Sequence, residues 1–232
     1  MCPTALAVRP HGQGPAPEAC ASQACLDKGC ARLVAQAANE NAAVAEAKPE
    51  MSLPLNISKD FIAEILKPYR THAQYLKSAE LTHYRDKSTP DTGAKDAGLI
   101  GGKGRFSIPC SCYIDDTGHF NAVEFNICFN QLAYVLFGKC LEADILKNLR
   151  LEKANVSFGD FKRHQLASML IVSIESRYYK MLKSDDFTAE LTINRISASA
   201  GAYFCFTSIS FADADGVKAK GTVLLAFAPP KE

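Results

Sequence analysis

Between Phe125 and Phe137 the chain carries no charged residue, and its apolar positions fall on nearly every side of a helical projection. A helix with that pattern belongs in an interior, since a surface helix keeps one polar face. It is too short to cross a bilayer, which needs about 20 apolar residues. The pattern predicts a buried central helix reaching about Lys147, with Gly138 kinking it or ending its buried half. Asn126, Asn130 and Tyr134 are four apart and share a face of this greasy segment. Buried amides must find partners, so these either bond neighbouring strands or a second subunit, or line a substrate channel. The preceding stretch, Tyr113-Ile-Asp-Asp-Thr-Gly-His119-Phe-Asn121-Ala-Val-Glu124, reads as strand end, tight turn and short polar loop.

Upstream, apolar residues at 61, 62, 65 and 66 form one face of a short helix capped by Ser58 and stopped by Pro68. Residues 73–86 alternate like a strand. Lys87 to Gly104 reads as a flexible glycine-rich insertion, and its Gly-Gly-Lys-Gly lacks the spacing of a phosphate loop. Arg105 to Ile114 is the next expected strand, with Cys110 and Cys112 on one face as packed small hydrophobes. Four more strands are expected at His164–Tyr179, Phe187–Ile196, Tyr203–Ala212 and Val217–Phe227, the last two joined by a turn at Asp215-Gly216. Together these predict an α+β fold in which an antiparallel sheet wraps around one long central helix. The open sheet edge this leaves predicts a homodimer or higher homo-oligomer.

Composition adds a boundary. Residues 1–55 are rich in Ala, Gly and Pro and contain no aromatic residue, so they read as a disordered or weakly helical extension of a domain at 56–232. Cys20, Cys25 and Cys30 lie five apart, unlike paired zinc ligands. The nine cysteines are an odd number and follow no secretory signal pattern, which predicts reduced thiols and a cytoplasmic protein, organelle targeting by the extension remaining open. A net charge of +1 provides no field for nucleic acid or an anionic membrane.

Candidate chemistry gathers at the start of the central helix. Asn121 followed by Glu124 matches a capping box. A capped start also points the amides of 122–125 along the positive end of the helix dipole, where a carbonyl oxygen gaining negative charge would be stabilised. His119 is suited to moving protons near neutral pH. Asp115 and Asp116 are turn formers or a general base. Asp115, His119 and Glu124 lack recognisable metal-ligand spacing, so no metal is expected. On a strand, Gln165 and Arg177 would face one side, and Arg177 would hold a carboxylate or form a surface ion pair.

Thr117-Gly-His-Phe-Asn-Ala-Val-Glu124, Cys128-Phe-Asn-Gln-Leu-Ala-Tyr134, His164-Gln-Leu-Ala-Ser-Met-Leu-Ile171 and Ser176-Arg177 resemble the FcoT-type thioesterases, a branch of the hotdog-fold acyl-thioester enzymes. The likeness spans roughly residues 60 to 228. It implies a hotdog oligomer acting on fatty acyl or enoyl thioesters carried on coenzyme A or acyl carrier protein, with no further cofactor. It also implies a second family reaction, addition of glycine to the β carbon of a trans-2-enoyl thioester, sometimes followed by hydrolysis. The two tyrosines and two asparagines of the family site correspond to Tyr69, Tyr113, Asn121 and Asn130. The resulting expectation is glycine addition. In it Asn121 and the helix amides hold the thioester, His119 or Glu124 takes the proton, and Tyr69 and Tyr113 bond the nucleophile. Plain hydrolysis with Asp115 as base, or a non-catalytic acyl-binding subunit, are the alternatives.

Overall fold

The computed structural model describes residues 54–84, 99–115, 119–143, 145, 157–199 and 202–228. Residues 1–53 of the expected N-terminal extension and most of the expected insertion lie outside these residues. Seven strands form one sheet: β1 (Leu55–Ile57), β2 (Leu76–Tyr84), β3 (Ile100–Phe106), β4 (Met169–Tyr178), β5 (Phe187–Ser199), β6 (Ala202–Asp213) and β7 (Gly216–Phe227). Their spatial order is β1-β2-β3-β5-β6-β7-β4, and each neighbouring pair is antiparallel. Among the described residues three α-helices of more than one turn accompany them: α1 (Lys59–Leu66), α2 (Ala122–Glu142) and α3 (Phe158–Ser168).

The sheet bends around α2 because glycines let it approach at both ends. A Cβ on Gly102 of β3 would overlap the Leu136 side chain, and one on Gly221 of β7 would overlap the Phe125 ring and the Glu175 carbonyl. Phe125 also packs on Phe211 of β6, with ring centroids 4.9 Å apart. Helix α2 therefore touches strands across the sheet's width. Thirteen of its residues are buried, among them Leu132, Val135 and Leu136. The expected wrap of sheet around an apolar helix is what the chain forms, and it is the hotdog arrangement. Helices α1 and α3 close the outer side, where Ile65 and Phe161 stand against Gly138.

Several expectations need correction. Gly101 to Gly104 are not loop but the middle of β3, since side-chain-free positions are what the helix contact demands. The strand expected at Arg105–Ile114 ends at Phe106, and the chain beyond it is irregular, leaving Cys110 exposed and Cys112 half-buried. Helix α2 ends at Glu142, earlier than Lys147, and Gly138 does not end its buried half, which reaches Cys140. The strand expected at His164–Tyr179 is a helix as far as Ser168. Ser157 and Asp160 form a capping box, and Phe161, Gln165 and Ser168 are buried at helical spacing. The short β1 was not anticipated. Among the described residues, no helix is long and apolar enough to cross a membrane.

Candidate active site at the start of the central helix

Phe120 anchors the loop that leads into α2. Its ring lies 4.8 Å from Phe211, and its N–H donates to the Leu182 carbonyl at 3.2 Å. Asn121 then caps the helix. Its Oδ1 accepts from the N–H groups of Val123 (2.9 Å) and Glu124 (3.4 Å), while Glu124 Oε2 accepts from Asn121 N–H at 3.0 Å. The Phe125 N–H donates to the Asn121 carbonyl at 2.8 Å. Three of the four amides expected to hold a substrate oxygen are thus taken by the cap itself. The expected anion hole at the helix end is largely occupied, because a good cap and an open dipole end compete for the same donors.

One turn on, a buried group of titratable side chains surrounds Cys128. Burial, then the charges of Glu124 and Cys112, hold its thiol well above its usual range. Tyr69 is raised by burial first, then by Tyr134 and Cys128, and burial raises Tyr134. Cys140 and Cys205 are pushed up to about 12 by burial. None of these three buried thiols ionises near neutral pH, so none serves as a nucleophile. The tyrosines remain neutral hydroxyl donors.

Asn126 and Asn130 are half-buried, and Asn130 Nδ2 donates to Asn126 Oδ1 at 3.1 Å. Side chains advance about 100° per residue on a helix, so the faces of Glu124 and Asn130 differ by about 120°. Glu124 turns inward towards Cys128, and its charge also reaches Tyr178 at the end of β4. The Asn126–Asn130 pair turns outward. The structure therefore joins Asn121 with Glu124, Asn130 with Asn126, and Tyr69 with Tyr134.

It does not bring the other expected residues into this group. Tyr113, Asp115 and His119 are exposed on the irregular segment and loop ahead of α2. Asp116 lies outside the described residues. Gln165 is on α3, buried, with Nε2 donating to the Ile65 carbonyl at 2.8 Å. Arg177 is exposed and pairs with Glu175 at 2.8 Å. The inference that Gln165 and Arg177 share a face fails, because it assumed one continuous strand. Among the described residues, no three His, Cys, Asp or Glu side chains cluster as metal ligands would.

Two residues that the sequence pattern did not single out position the site. Gln131 Oε1 accepts from the backbones of Tyr75 (2.9 Å) and Leu76 (3.0 Å), and its Nε2 donates to the Ala73 carbonyl. The Tyr75 hydroxyl accepts from Cys112 N–H at 2.9 Å. Through this pair α2 sets both the start of β2 and the segment bearing Tyr113. An uncharged amide in a run this apolar was the available signal.

An FcoT-like thioesterase domain matches residues 64–227. The chain belongs to this family. It is 32% identical over 171 residues to a (2E)-enoyl-[ACP] glycyltransferase of Streptomyces coeruleorubidus, covering 72% of this chain and 94% of that one. An enzyme of the same name from Mycobacterium marinum is 34% identical over 174 residues, covering 73% and 86%. Among solved structures, a sigma28-regulated virulence protein of Campylobacter jejuni aligns at a TM-score of 0.41 and 11% identity, over 73% of this chain and 97% of that one.

Proposed function

We propose that this protein adds glycine to a trans-2-enoyl thioester borne on acyl carrier protein. The observation that carries this is the polar face of α2, where the Asn126–Asn130 amide pair and Tyr134 stand on an apolar helix, with Tyr69 of the turn after α1 beside them and the Cys128 thiol held protonated by burial. Such a site offers donors while its buried thiols stay protonated, which favours an attacking group that arrives as a substrate. Kinship with the two glycyltransferases supports glycine as that substrate.

In this reading the glycine ammonium passes a proton through water to His119, which stands on the exposed loop outside the group around Cys128, since Glu124 is buried and engaged as a cap. The amine nitrogen bonds C3 of the enoyl chain. The C2=C3 electron pair moves to C2 and the thioester oxygen, and the enolate is held by N–H donors of Asn126 and Asn130. A proton returned to C2 completes the adduct with the thioester intact. Tyr69 and Tyr134 hold the glycine carboxylate. Asn121 positions the helix start, and Tyr113 and Arg177 border the entrance. We further infer a homodimer joined through β4, which among the described residues has β7 as its only strand neighbour and exposes Leu170, Val172 and Ile174.

Incubating the protein with a trans-2-enoyl carrier thioester, with and without glycine, and weighing the products tests the reaction. A mass gain of one glycine with the thioester retained is expected. Free acid formed without glycine would replace this reading with hydrolysis, and an unchanged thioester would leave an acyl-binding subunit.

A further inference from the structure

A groove of about 440 Å³ runs between the C-terminal end of α1 and the outer face of α3, lined by Glu64, Lys67, Pro68, Lys162, Arg163 and Gln165, with Gly159 at one side. Lys162 pairs with Glu64 at 3.2 Å and Arg163 with Asp160, while Lys67 makes no ion pair among the described residues. Gln165 is 3% exposed, and its Oε1 is buried without a hydrogen-bond partner. A buried amide oxygen without a donor costs stability unless something supplies one. The groove thus combines cations at its rim with a lining residue, Gln165, whose buried carbonyl oxygen calls for an N–H or O–H.

Its position relates it to the candidate site. Pro68 in the groove is followed directly by Tyr69, and Phe161, one turn before Gln165, stands 6.5 Å from the Tyr134 ring. From Tyr134 the polar face of α2 continues through Asn130 to Asn126, about 12 Å along the axis.

We propose that this groove seats the phosphopantetheine arm that delivers the thioester, its phosphate at Lys67 and Arg163 and one of its amide N–H groups on Gln165 Oε1. The arm joins these chemistries in order: phosphate, hydroxyl, two amides, then the sulfur that carries the acyl group. A lone anion would leave Gln165 unanswered, and a bare fatty chain would waste the cations. The proposal rests on the protein being an acyl-thioester enzyme, but not on which nucleophile attacks. Coenzyme A and a holo carrier protein share this arm.

The test is binding, free of turnover. Calorimetric titration of the full chain with 4′-phosphopantetheine and with pantetheine should give about tenfold tighter binding for the phosphorylated arm, the equivalent of one charge-assisted contact. In Lys67→Ala/Arg163→Ala that preference should vanish, with pantetheine binding and the circular dichroism spectrum retained. Gln165→Met should weaken both ligands alike. Equal affinities of the unmodified protein for the two ligands would overturn the proposal, and so would a preference that survives the double substitution. Coenzyme A binding as tightly as the free arm assigns the source to coenzyme A thioesters; markedly weaker binding assigns it to a protein-borne arm. If the arm binds here yet no glycine adduct forms in the product assay, the groove stands and the glycine reading falls.

Discussion

At the scale of single residues, the cap and the chemistry can be separated. Asn121→Ala removes the acceptor of two helix amides and should cost about 1 kcal/mol of stability, read from denaturant midpoints. His119→Gln, at an exposed loop position, should leave the midpoint unchanged and lower turnover at least about 100-fold, as loss of a general base does. Glu124→Gln retains an acceptor for Asn121 N–H and should slow turnover far less; if it instead abolishes turnover in a folded protein, Glu124 is the base. The buried acids add a pH dependence. Cys128, Cys140 and Cys205 start from an ordinary value of 9.0, and Tyr69 from 10.0, and all are raised in the folded state. The unfolded chain therefore releases these protons first, so stability is full below about pH 9 and falls as pH rises beyond it. Thermal melts from about pH 7 to 11 should show that fall, shallower in Cys140→Ala. The cap was legible in the sequence from Asn121 and Glu124 alone, because its signal is local. The Cys128 environment was not, since nothing near Cys128 in sequence announces Tyr69 or Cys112 across the fold.

Among the elements, legibility depended on whether the deciding contact was local. Helix α2, β2 and the β6–β7 hairpin were readable because hydrophobic period and turn chemistry define them; Gly216 takes φ 101 where the turn requires it. Strand β3 was not, for its glycines look like loop until α2 is seen against them. Helix α3 was hidden by its junction, where helix passes to strand between Ser168 and Met169 with no intervening turn residue. Gly102→Val tests the contact reading. It should destabilise the fold by about 1–3 kcal/mol or more through overlap with Leu136, and a compensating Leu136→Ala should recover part of the loss. A flexible loop at this position would tolerate the substitution.

For the molecule as a whole, the open edge of β4 predicts association. Ile174→Lys should convert a dimer to monomer in sedimentation velocity while leaving the fold intact, because Ile174 is already exposed in the single chain. The two glycine contacts carry a consequence for substrate length. Gly221 grips α2 at Phe125 and Gly102 grips it at Leu136, about 16 Å apart along the axis. If the acyl tail lies along α2, as the proposed reaction has it, the rod held at both points cannot slide to lengthen or shorten its channel. A shift in the fatty tails accepted by such a molecule would have to come from trimming or enlarging individual side chains, with the backbone staying put.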